Sequence, residues 1–169
     1  MSASKQEKLT SLFKSARVVP VLTINRLEDA VPLARALVSG GVRMLEVTLR
    51  TEVAIEAAKA IIANVPDAIV GIGTILNGDD LARAEELGAR FGISPGATPE
   101  LLKAAAASSL PFAPGIATAS ELICALTTTI GTGLISIMVL VASMPSTFGM
   151  LTSIVMTSGL FRLTNSMAS

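Results

Sequence analysis

Five short apolar or β-branched runs punctuate the chain: "VVPVLT" from Val18, "VRMLEVT" from Val42, "AIVGIGT" from Ala68, "RFGISPG" from Arg90 and "PFAPGIA" from Pro111. Their starts recur every 21 to 26 residues. The intervening segments carry helical periodicity instead. In "RLEDAVPLARALVSGG", Val31, Leu33, Ala34, Leu37 and Val38 form an apolar stripe, and Gly40 and Gly41 end the helix. Pro32 is the one discord, tolerable near a helix start, where a backbone N–H lacks a partner. In "GATPE", Thr98 is placed to cap a helix whose first residue is Pro99. The leading stretch "SASKQEKLTSLFKSA" predicts an amphipathic helix with Leu9, Leu12 and Phe13 on its buried side, placed to close the N-terminal end of a sheet.

Strand, helix, strand at this spacing is the unit of a parallel α/β sheet. Eight such units come to roughly 200 residues, the lower end for a (β/α)8 barrel. A doubly wound nucleotide-binding sheet carries a glycine-rich turn after its first strand, whereas "TINRLED" follows the first strand here and has no glycine. "GIGT" at residues 71–74 does not supply one, because Leu76 stands where the third glycine of GxGxxG belongs. The expectation is a partial (β/α)8 TIM barrel of about five βα units with a leading capping helix.

Charge distribution adds a seam. Residues 1–121 hold 25 of the 26 charged side chains, and residues 122–169 hold only Arg162. The latter segment is apolar and rich in Ser and Thr, with Met138, Met144, Met150 and Met156 recurring every six residues and no βα spacing. The pattern thus changes near residue 125, and the chain is expected to comprise βα units at 1–126 and a divergent tail at 127–169. The uncharged stretch exceeds the ~20 residues a membrane helix needs. Pro145, Gly149 and the many hydroxyl residues dilute it, so a membrane partner is not expected.

Thirteen basic residues balance thirteen acidic ones, leaving no net charge to attract nucleic acid. The single cysteine, Cys124, has no partner for an internal disulfide and is expected to be a small buried side chain. Charges scattered through the N-terminal segment do not fit a signal peptide, and the expected location is cytoplasmic. Histidine, tyrosine and tryptophan are absent, which removes His-based metal sites and Ser–His or Cys–His nucleophile pairs. Acid–base chemistry falls to carboxylates and lysines, and neither a metal nor a cofactor is expected.

"MLEVTLRT" then stands out. On a strand, Met44, Glu46, Thr48 and Arg50 share one face, and Leu45, Val47 and Leu49 share the other. In a barrel the apolar set meets the helices and the polar set faces inward, with Arg50 at the C-terminal end, where barrel active sites form. A guanidinium there suits a small carboxylate. A glutamate deeper in the barrel is desolvated, which raises its pKa toward neutrality. The spacing fits equally an ion pair between Glu46 and Arg50. Thr74, ending the third strand, either donates to a ligand oxygen or caps the helix that begins near Asp79.

"ARVVPVLTINRLEDAVPLARALVSGGVRMLEVTLRTEVAIEAAKAI", "AIVGIGTILN", "GARFGISPGATPELLKAA" and "PFAPGIATASEL" closely resemble the bacterial 2-keto-3-deoxy-6-phosphogluconate (KDPG) and 4-hydroxy-2-oxoglutarate (KHG) aldolases, over about residues 16–126. The resemblance implies a class I aldolase on a (β/α)8 barrel, a homotrimer of the Entner–Doudoroff pathway. In that chemistry a lysine forms a Schiff base with the keto group and the C3–C4 bond breaks. KDPG yields pyruvate and glyceraldehyde 3-phosphate, and KHG yields pyruvate and glyoxylate. It further implies that Glu46 is the general acid/base and that Arg50 and Thr74 hold the pyruvate carboxylate. The family's Schiff-base lysine stands in a "K-[LF]-F-P-A-E" stretch on the sixth strand, and no such stretch occurs here. The five lysines are Lys5, Lys8, Lys14, Lys59 and Lys103, all in segments expected as helices. The later "PTGG" phosphate turn is also absent. The expectation is therefore a family member with impaired turnover. The alternative is a truncated or frameshifted remnant whose tail self-associates or contacts membrane.

Overall fold

A computed structural model describes residues 5–16, 18–121, 124–125 and 138–139. Helix α1 (Lys5–Ser15) leads into an alternation of β1 (Val21–Leu22), α2 (Leu27–Ser39), β2 (Met44–Thr48), α3 (Ala54–Asn64), β3 (Ile69–Gly73), α4 (Gly78–Glu86), β4 (Phe91–Ser94), α5 (Pro99–Ala107) and β5 (Phe112–Ile116). A two-residue strand, β6 (Met138–Val139), pairs with β5, Gly115 opposite Met138. Strand order in the sheet follows chain order, and every pairing is parallel. That is the order of a βα barrel, and all five strands expected from the sequence are present. Of the tail set apart at 127–169, only Met138 and Val139 are described. The six-residue methionine spacing and the uncharged stretch weighed as a span otherwise lie outside the described residues. Among the described residues no helix is long and apolar enough to cross a membrane.

The two faces of the sheet bury two different cores. Outward, Leu45, Val47, Val70 and Ile72 meet Ala30 and Ala34 of α2, Ala57, Ala58 and Ile61 of α3, Leu81 of α4 and Leu101 of α5. Alanine at the contact positions lets helix backbones approach the strands closely, and burial of this apolar area is the main driving force for the unit. Inward, Met44, Phe91, Ile93 and Ala113 form a smaller cluster closed by Leu9, with Leu12 and Phe13 packed against it. Phe13 meets the Phe91 ring edge-to-face at 5.7 Å. Met44 and Phe91 begin β2 and β4, so α1 plugs the N-terminal end of the strands, as its stripe predicts. Lys5 fastens the plug: its Nζ donates to the carbonyls of Ala105, Ala106 and Ser108, the unpaired acceptors at the end of α5.

Some local expectations hold and others change. Thr98 caps α5, its Oγ1 accepting from Leu101 N–H at 3.2 Å, with Pro99 at the first turn. Helix α2 closes as expected, Gly41 taking φ +86° and Val42 N–H returning to Leu37 O. Pro32 is inside α2 and beyond its first turn, since the helix starts at Leu27, and it removes the bond that Glu28 O would accept. Leu33 leaves the expected stripe and is 39% exposed, because Ala30 and Ala34 are the residues that face the sheet. Strand β1 is confined to Val21–Leu22. Pro20 offers no N–H to a ladder, and its carbonyl instead accepts from Glu46 N–H at 3.0 Å. Cys124 is half-buried beside Leu102, Ile116 and Ala125.

Candidate active site

Register places the candidate residues on neighbouring strands. Glu46 of β2 stands between Val21 of β1 and Gly71 of β3, and Phe91 of β4 is opposite Gly71. Two residues further, Thr48 is opposite Gly73, and beyond that pair Leu49 N–H donates to Gly73 O at 3.0 Å. Arg50 and Thr74 follow directly, at the C-terminal rim of adjacent strands. The inward and outward sets of β2 segregate as strand alternation predicts, Leu45 and Val47 against the helices and Met44 in the inner cluster.

Glu46 is 5% exposed. Its side chain leans across β3 so closely that a Cβ on Gly73 would run into Oε1 and stand 2.7 Å from Cδ and 2.8 Å from Cγ. No donor among the described residues bonds the carboxylate. Loss of water pushes its pKa from the ordinary 4.5 up to about 7, and the positive charge of Arg50 pulls in the other direction without cancelling the rise. The ion-pair alternative is corrected. Glu46 and Arg50 are not joined, and among the described residues the ion pairs are Arg26–Glu28, Arg26–Asp29 and Arg43–Asp67. Arg50 is exposed at the rim, its N–H donating to Thr48 O at 2.8 Å.

Thr48, expected to line the interior beside Glu46, is buried with its hydroxyl already engaged. Oγ1 donates to Leu22 O at 3.0 Å and meets Thr23 Oγ1 at 3.1 Å, and Thr51 Oγ1 donates to Ile24 O at 2.6 Å. These bonds strap β1 to β2 at the mouth. Thr74 does not cap the next helix: Asn77 does, its Oδ1 accepting from Asp80 N–H at 2.9 Å. Thr74 instead has φ +60°, left-handed backbone that a β-branched residue rarely adopts. Such strain persists where surrounding structure enforces it, and it concentrates at ligand sites.

Two features went unread in the sequence. Beyond Ile69, Gly71 and Gly73 leave the inward face of β3 without side chains, and the Phe91 ring and the Glu46 carboxylate project into that space. Gly115 lies under the exit of β4, where a Cβ would stand 2.6 Å from Ser94 O and 2.7 Å from Pro95 O. Alternating glycines within a strand are the available signal for such close approach. Lys5, Lys8 and Lys14 lie on α1, Lys59 on α3 and Lys103 on α5, so each lysine is on a helix. A cleft of about 520 Å³ lined by Glu7, Lys8, Ser11, Glu85, Arg90 and Ser109 opens beside α1, at the opposite end of the strands from Arg50 and Thr74. Among the described residues no group of three or more His, Cys, Asp or Glu is placed to hold a metal.

The family model of KDPG and KHG aldolase matches residues 9–152. The chain belongs to the KDPG and KHG aldolase family. Its match to the family model runs past Glu121, after which Arg162 is the one charged residue, and past residue 126. The KHG/KDPG aldolase of Escherichia coli K12 is 57% identical over 112 residues, covering 66% of this chain and 53% of that one. The 2-dehydro-3-deoxy-phosphogluconate aldolase of Dickeya dadantii is 60% identical over 105 residues, covering 62% of this chain and 49% of that one. The chain thus spans about half the length of the curated aldolases it matches. Among solved structures, the 2-keto-3-deoxy-6-phosphogluconate aldolase of Zymomonas mobilis ZM4 with 3-phosphoglycerate superposes with a TM-score of 0.70 at 45% identity, covering 73% of this chain and 58% of that one. KDPG aldolase from Legionella pneumophila, with pyruvate captured as a covalent carbinolamine, gives 0.67 at 43% identity, covering 75% and 59%. The α/β fold of this chain is that of these aldolases.

Proposed function

We propose that this chain carries the keto-acid end of a class I aldolase site acting on KDPG and KHG. Arg50 and Thr74 hold the substrate carboxylate at the rim, and Glu46 below them moves protons. The observation that carries this reading is the seating of Glu46: a buried carboxylate, without an ion pair or hydrogen-bond donor among the described residues, with its pKa near 7, under a rim bearing a guanidinium and a strained threonine. A carboxyl poised near neutrality both donates and accepts protons. Those are the exchanges required as a lysine adds to a keto carbon, water leaves, and the enamine left by C3–C4 cleavage takes a proton at C3. The carbinolamine in the Legionella enzyme is an intermediate of such a sequence.

The lysine nucleophile is the part this chain does not present at the strand ends, since all five lysines lie on helices. Removing the nucleophile removes the covalent route, so little or no turnover is expected of the chain by itself. We further propose residues 1–126 as the aldolase-like units and 127–169 as a divergent tail, a cytoplasmic location and homotrimeric assembly. Borohydride reduction with pyruvate, followed by intact mass and a retro-aldol assay, tests this. No adduct and no turnover are expected. A reduced adduct on Lys59 or Lys103 accompanied by cleavage of KDPG would overturn it.

A further inference from the structure

The inward face of β3 presents Ile69, Gly71 and Gly73, and the space above the two glycines is filled from opposite sides. The Phe91 ring comes from β4 and the Glu46 carboxylate from β2. Gly73 does not have the left-handed backbone that would by itself demand glycine, unlike Gly41 and Gly88, so its requirement is one of space. The atoms a Cβ at Gly73 would meet are Oε1, Cδ and Cγ of Glu46, the far end of a flexible side chain. Gly71 and Gly115 differ, because a Cβ there would meet a packed ring or backbone.

We propose that Gly73 is a positioning residue for Glu46: by lacking a Cβ, it forms the seat that holds the carboxylate inside the barrel, beneath the rim of Arg50 and Thr74. Its catalytic meaning rests on the reading of Glu46 as the proton-transfer group. A methyl at position 73 takes the volume now held by Oε1, and the glutamate gives way. The backbone offers no room on the β3 side, so the carboxylate moves toward the mouth, Arg50 and water. A displaced carboxylate titrates as an ordinary glutamate, and the fold survives because only a side-chain tip has moved.

The test is Gly73→Ala in the full chain, with Glu46 followed by carboxyl ¹³C NMR. Gly96→Ala serves as control, since a Cβ there meets nothing within 4 Å. The expected result is a Glu46 midpoint that falls by about one pH unit or more in Gly73→Ala and stays in place in Gly96→Ala. Any loss of stability caused by Gly73→Ala should vanish in a Glu46→Ala background. An unmoved midpoint, or an equal loss in both backgrounds, would overturn the proposal. If Gly73→Ala alone does not fold, recovery of folding in Glu46→Ala/Gly73→Ala upholds the seat, and failure of the double variant refutes it. Absence of pyruvate binding by the parent chain, with the midpoint still moving in Gly73→Ala, sinks the functional reading of Glu46 and upholds the seat.

Discussion

Glu46 in the middle of β2 and Arg50 just beyond its C-terminal end stand four residues apart and form no ion pair. The guanidinium is exposed at the rim, while the carboxylate lies inward, across β3. Desolvation therefore dominates the carboxylate, and its pKa rises to about 7.

The folded-state pKa of Glu46 is thus above the 4.5 of an ordinary glutamate. Its contribution to stability is fully present below pH 4.5 and is lost as pH rises through 7. Between those limits the chain should lose roughly 3 kcal/mol of stability from this one group. Urea denaturation across this range checks it. Glu46→Gln, which cannot ionise, should abolish that decline and be the more stable form at pH 8, whereas parallel pH profiles would place the carboxylate in water.

Thr48 joins β1 to β2 through its hydroxyl, at 3.0 Å from Leu22 O. Thr48→Val keeps the shape and removes the donor, leaving a carbonyl without its partner. The expected cost is about 1–2 kcal/mol in urea denaturation. An unchanged midpoint would mean that water replaces the bond at no cost.

Thr74 holds its left-handed backbone against β-branched sterics. Relief of such strain by glycine recovers about 1–3 kcal/mol, and added freedom in the unfolded chain returns up to about 1 kcal/mol of it. Thr74→Gly should therefore be more stable by about 1 kcal/mol while binding pyruvate more weakly. Lower stability together with unaltered binding would show that the conformation is neither strained nor functional.

Much of the fold was legible because local chemistry and tertiary demand agree. The five strand runs, the leading helix with Leu9, Leu12 and Phe13, and the Thr98 cap with Pro99 all follow from periodicity and backbone hydrogen bonding. Side-chain fate was less legible, since it depends on residues distant in sequence. Thr48 and Arg50 share a predicted face with Glu46, yet Leu22 and Thr23, some 25 residues earlier, claim the Thr48 hydroxyl. Leu33 fits a helical stripe as well as its neighbours do, but Ala30 and Ala34 permit the closer approach and turn it outward. From the sequence, Glu46, Arg50 and Thr74 are the proposed site residues. Gly73 was not, because its importance lies in the atoms of another strand.

The central claim, that Arg50 and Thr74 hold a keto-acid carboxylate above Glu46, is tested most directly by titrating the ¹⁵N-labelled chain with pyruvate. The account predicts saturable amide shifts centred on Arg50, Gly73 and Thr74, lost in Arg50→Met. No shifts at millimolar pyruvate, or shifts that persist in Arg50→Met, would contradict it.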